Sequence, residues 1–193
     1  MCCGTKRLTE IRCPSGCPYL ATAREHPPAA IVRQHQRDVG YLVQAMRDLN
    51  ERQSQLFVAI ATFLVRYEPD DLHPLIDDDV AEMADAMAAT FETASRGVIY
   101  EHSAASVPAQ RLASALRPRI LDAPGPHGGG SAFERDAAVV LRRVNDAARG
   151  VRALEPENRR ALVEMLGRVF RTPPGQPDAA AAAEPDAPRL IVP

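Results

Sequence analysis

Tryptophan is absent from this chain of 193 residues, aromatic side chains make up 5% of it, and Lys6 is its only lysine. Scarce aromatics leave little to stack on unpaired bases, which argues against single-stranded nucleic-acid binding. With one lysine, 22 of the 23 basic residues are arginine. Alanine and proline are plentiful as well, the joint signature of GC-rich codons, so the arginine bias is no argument for phosphate contacts. No stretch of ~18 apolar residues exists, so no helix is expected to span a membrane. The opening Met1-Cys2-Cys3-Gly4-Thr5-Lys6-Arg7 leads into polar sequence instead of an apolar leader core, and a soluble, cytoplasmic protein is the expectation.

Missing motifs narrow the chemistry further. There is no phosphate-cradling Gly-x-x-x-x-Gly-Lys-Ser/Thr and no dinucleotide fingerprint, and Gly128-Gly129-Gly130 follows no strand. No glutamate has histidine three residues later, which removes the Glu-x-x-His pattern of carboxylate di-iron bundles. Asp77-Asp78-Asp79 lacks the spaced acids of a calcium loop and reads better as the acidic first turn of a helix.

Cysteine is also missing from everything after Cys17, because all four cysteines stand together as Cys2-Cys3-x9-Cys13-x3-Cys17. In a reducing compartment clustered thiols pose a metal or redox question, not a disulfide one. Four thiolates can close a tetrahedron around Zn²⁺ at ~2.3 Å. The Pro14-Ser15-Gly16 insert can turn the backbone so that Cys13 and Cys17 face the same way. Lys6, Arg7 and Arg12 would balance the excess negative charge of such a site. The expected metal ligands are therefore Cys2, Cys3, Cys13 and Cys17, with His26 as a substitute donor if only one of the adjacent pair binds. An iron–sulfur centre and unmetallated thiols are the alternatives.

Beyond the head the apolar period is helical, and the expected class is all-α. From Pro27-Pro28, two rows interlock at heptad spacing: Val32, Val39, Met46, Ile60 and Tyr67, with polar Gln53 interrupting, and Leu42, Leu49, Leu56 and Phe63, which His35 begins. The rows predict one helix of about 40 residues and ~60 Å, ending at Pro69. Such a seam suggests a coiled coil, a protein partner or a homodimer, although Phe57 and Leu64 widen it toward bundle packing. A second helix should run from Asp77, Asp78 and Asp79 to about Glu101 and His102, and a third from Pro108 through Leu112 and Leu116 toward Pro118. A fourth should follow a Ser131-x-x-Glu134 capping box, and a fifth should open at Pro156.

The result is a bundle of four to five helices over 28–171, with a Pro/Gly-rich linker at 123–130. A cysteine-rich head (1–27) precedes it, and a Pro/Ala-rich tail (172–193) expected to be disordered follows. Charge alternates along the chain. Residues 68–95 carry nine acidic side chains and no basic one, whereas 96–171 carry thirteen basic against eight acidic. That pattern predicts complementarity between segments of one molecule.

On the helices the densest polar cluster is Tyr100-Glu101-His102 with Thr90, Thr93 and Arg96 before it. Glutamate and histidine can serve as ligand, acid or base, while a helix C-terminus stabilising His102 explains them without chemistry. No nucleophile or third triad member accompanies them. The reading is a binding or regulatory module with a structural zinc site, not an enzyme. A thiol-based metal or redox responder is one alternative. An enzyme using Glu101 and His102 is another, and it requires those side chains to line an interhelical cavity. Nucleic acid is not an expected partner.

Overall fold

The computed structural model describes residues 29–69, 73–122 and 130–170. Among them the chain is all-α, with six helices: α1 (Ala29–Ala45), α2 (Glu51–Arg66), α3 (Asp77–Ala94), α4 (Val107–Leu121), α5 (Ser131–Leu154) and α6 (Ala161–Phe170). The cysteine-rich head, the linker at 123–129 and the tail from 171 lie outside the described residues. No described helix is long and apolar enough to cross a membrane.

The long N-terminal helix is two helices. Asn50 accepts from the Gln53 N–H at 2.9 Å, and the Gln53 side-chain oxygen accepts from the Asn50 N–H at 3.1 Å. This reciprocal capping box starts α2 afresh. The polar residue that interrupted the heptad row is thus the third residue of a new helix, and its amide also reaches Asp136 at 2.8 Å. The heptad seam is divided at 46–50. Within α1 only Asp38 and Leu42 are buried, and His35 is exposed rather than a core residue.

The centre of the bundle is α3, packed most extensively on α5 and flanked by α4, while α2 packs on α5 and α6. Helix α3 buries a wide face: Val80, Ala81, Met83, Ala84, Ala86, Met87, Ala88 and Phe91. A helix buried over so wide an arc belongs inside a bundle. Its alanines meet a helix that is also rich in small residues, Ala137, Ala138, Ala147 and Ala148 on α5, and short side chains let two helix axes approach at the lower end of the usual 8–10 Å. Large side chains fill the space around that seam. Ile60, Met83, Leu112, Leu116, Ile120, Leu141 and Leu162 are almost wholly buried, each contributing about 1.5–3 kcal/mol against exposure. All of this lies in one compact unit, Arg33–Arg171.

Several boundaries differ from expectation for identifiable reasons. Helix α3 stops at Ala94, before Glu101 and His102. Gly97 takes φ 80°, its N–H binds the Ala94 carbonyl at 2.8 Å, and the Val98 N–H binds the Thr93 carbonyl at 3.2 Å. That pair of bonds is a Schellman motif, which needs a left-handed residue after the helix. Helix α4 is capped by Ser106, carries Pro108 in its first turn and continues past Pro118 to Leu121. At α5 the N-cap is Gly130, so Ser131 stands inside the helix and the expected capping box is not made. Helix α6 begins at Ala161, well after Pro156, because its N-terminus is completed by a residue from elsewhere in the chain.

Candidate functional site

That residue is Asp77, the first of the three consecutive acids. Its carboxylate is only 1% exposed and accepts from the N–H groups of Leu162 at 3.0 Å and Val163 at 3.2 Å. In return the Asp77 N–H donates to the Arg159 carbonyl at 2.9 Å, and Arg160 Nε donates to the Leu75 carbonyl at 3.0 Å. One carboxylate thus joins the N-termini of α3 and α6. Burial pushes the Asp77 carboxyl above its ordinary range against the opposing effect of its backbone donors. Asp79 is also raised by burial; it accepts from the Ile76 N–H and the Ser106 hydroxyl, each at 3.4 Å. Asp78 faces Arg159 at 3.7 Å. The acidic run is scaffolding. Among the described residues no three His, Cys, Asp or Glu side chains are placed to hold a metal, and Cys2, Cys3, Cys13 and Cys17 lie outside those residues.

The polar cluster around His102 comes together more closely. Beyond the Schellman turn the chain runs as an extended strap over 98–104 before α4. The strap is tied to α3 by threonines one helical turn apart. The His102 N–H donates to Thr90 Oγ1 at 2.9 Å, and His102 Nε2 lies 3.2 Å from Thr93 Oγ1. Thr93 commits its own proton to the Ala89 carbonyl at 2.6 Å. The Tyr100 ring stacks edge-on against the imidazole at 4.8 Å. His102 is not part of α3, which ended eight residues earlier, but its ring returns to the last turn of that helix at Thr93.

Two contacts from α4 complete the arrangement. Gln110 Nε2 donates to the Ala104 carbonyl at 2.8 Å, and Arg117 pairs with Glu101. Strap, α3 and α4 enclose a groove of about 380 Å³. Its floor is apolar, from Met87, Phe91 and Ala113, and its rim is polar, from Glu101, His102, Ser103, Gln110, Ser114 and Arg117. Such a groove is within the size range of small-molecule sites, which combine apolar walls with a few orienting polar groups. Ser114 donates to the Gln110 carbonyl at 2.9 Å, and the hydroxyl touching the imidazole belongs to Thr93, already committed to its own helix.

Several arginines of the basic half pair with acids and amides of the same chain. Arg142 bridges Glu92 at 2.9 Å and Asp85, holding the Glu92 carboxyl below its ordinary range. Arg143 reaches Asp48 at 3.0 Å, and Arg149 reaches Asn145 at 2.8 Å. Arg168 clasps the buried Asp38 at 2.6 Å. The acidic stretch is thus partly neutralised by the basic half of the same chain, as its charge alternation suggested.

Sequence reasoning singled out Glu101 and His102 but missed Gln110 and Arg117, which lie with Ala113 and Ser114 on one face of α4 at three- and four-residue spacing. It also missed Gly97, whose position after the last apolar residue of the period was a stop signal. No protein-family model, curated protein or solved structure matches the chain.

Proposed function

We propose that the chain is a binding or regulatory module and not a catalyst, and that the groove between α3 and α4 is where it takes a small organic ligand. The observation that carries this reading is the apolar floor of Met87, Phe91 and Ala113 beneath a polar rim of fixed geometry. The rim is preorganised, because the strap is tied through His102 to Thr90 and Thr93 and through Ala104 to Gln110. Rigid placement lowers the ordering cost of binding. The absence of a partnered nucleophile within the groove favours binding over turnover. A fragment screen by amide chemical-shift mapping tests the reading. Hits should cluster on residues lining the groove; a screen whose hits spare them overturns it.

A second element of the proposal is zinc held by Cys2, Cys3, Cys13 and Cys17 in a reducing, cytoplasmic setting, supported by the confinement of every cysteine to the first seventeen residues. The metal would organise a head with little apolar sequence of its own and make it a docking element. Elemental analysis of purified chain should give one zinc per molecule, lost on chelation with release of titratable thiols. Metal content near zero with four freely reactive thiols removes this element. Metal loss under mild oxidant, faster than global unfolding, would instead favour the thiol-based responder.

A further inference from the structure

The charges bordering the groove point to the class of ligand it takes, an inference that rests on the binding reading above. Helix α4 carries Arg111, Arg117 and Arg119 and no acidic residue. Of these only Arg117 lines the groove, and the one carboxylate lining it is Glu101 on the strap. His102 Nε2 is turned toward Thr93. We propose that the groove binds a small amphiphile with an anionic head, of the chemistry of a medium-chain carboxylate, and that Glu101 is an internal competitor for the same arginine.

The exposures of the two partners carry the argument. The Glu101 side chain is 66% exposed and that of Arg117 is 44% exposed. An ion pair this wet contributes little. An incoming carboxylate can therefore displace Glu101 from Arg117 at little cost, and by covering Met87 and Phe91 it gains apolar burial that Glu101 cannot supply. A cationic amphiphile has the reverse problem. Its only partner, Glu101, stands out in solvent on the strap, and its charge would approach Arg117. A neutral one gains the floor but leaves the Arg117 pair unused.

Octanoate, octylammonium and octanol, matched in chain length, separate these cases when titrated into the full chain by calorimetry and amide chemical shifts. Octanoate is expected to bind at the groove at least about fivefold more tightly than the other two. Replacing Glu101→Gln removes the competitor and should tighten octanoate roughly two- to fivefold, whereas Arg117→Gln should weaken it by a similar factor, the range of an exposed ion pair. Because the pair is exposed, both variants should unfold at the parent's temperature. If octylammonium or octanol binds the groove as well as octanoate, or if Glu101→Gln leaves octanoate affinity unchanged or lower, the anion assignment is overturned while the groove remains a ligand site. If octanoate does not bind, this inference fails. The fragment screen then decides separately whether the binding reading fails with it.

Discussion

Replacing Asp77 tests the central structural claim, that one buried carboxylate completes the N-terminus of a helix far away in sequence. In Asp77→Ala the N–H groups of Leu162 and Val163 lose their acceptor. A buried donor left unpaired costs ~1–3 kcal/mol, and two are at stake. Removing a carboxylate from a site that disfavours its charge returns part of this. The expected loss is about 2–4 kcal/mol, large against the 5–15 kcal/mol typical of a whole domain.

Asp77→Asn separates acceptor from charge. Leu162 and Val163 donate to different oxygens of this carboxyl, so asparagine keeps one acceptor and turns an NH2 group toward the other donor. The amide variant should lose about 1–3 kcal/mol, the cost of one unpaired buried donor, and less than alanine. The sign of the pH dependence follows. A carboxyl with a raised folded pKa binds its proton more tightly in the folded state, so stability rises as pH falls from that raised value toward the unfolded value of about 3.9. The parent minus Asp77→Asn difference should show this slope, since the variant cannot titrate there. Urea unfolding followed by circular dichroism between neutral and mildly acidic pH measures both effects. An alanine variant as stable as the parent would refute the cap, and a parent minus Asp77→Asn difference that falls as pH drops would refute the direction of the shift.

Other perturbations address separate links. A Cβ added at Gly150 would lie 2.6 Å from the Tyr41 hydroxyl, which donates to the Ala147 carbonyl at 2.8 Å. Gly150→Ala should therefore cost about 1–2 kcal/mol despite the better helix former, whereas in a Tyr41→Phe background the same change should be neutral or stabilise by up to ~1 kcal/mol; thermal unfolding of the four proteins closes the cycle. Asn50→Ala removes the capping box of α2 and should cost ~0.5–2 kcal/mol, with hydrogen exchange rising first at the start of that helix. Glu92→Gln breaks the bond to Arg142 in a side chain that is 39% exposed, so less than ~1 kcal/mol should be lost at neutral pH. That deficit should shrink as pH falls through the lowered pKa of Glu92, where the parent carboxylate also loses its charge.

The helical class was readable because apolar residues recur at helical spacing, and that local pattern survives in every described element. Boundaries were readable only where the deciding group is nearby. Asn50 with Gln53 was a visible signal overridden by a longer heptad pattern, and Gly97 after Ala94 was a visible stop signal outside it. Ser131 misled for the opposite reason: its pattern matched a cap, but Gly130 occupies the cap position. The start of α6 had no local signal, because its acceptor is Asp77. In the groove, Glu101 and His102 stood out as a polar cluster. Arg117 did not, since its meaning comes from facing Glu101 across a turn that the chain had yet to make.

Composition and periodicity alone determined an all-α chain, a cysteine-confined head and a body whose acidic and basic stretches complement each other. These depend on side-chain type and on spacing within one helix, which are properties of neighbours in sequence. Tertiary structure alone decided which carboxylate completes α6, which glycine admits Tyr41, and that a strap and two helices enclose a groove with one arginine at its rim. Those features pair residues distant in sequence, and only packing sets the distances between them.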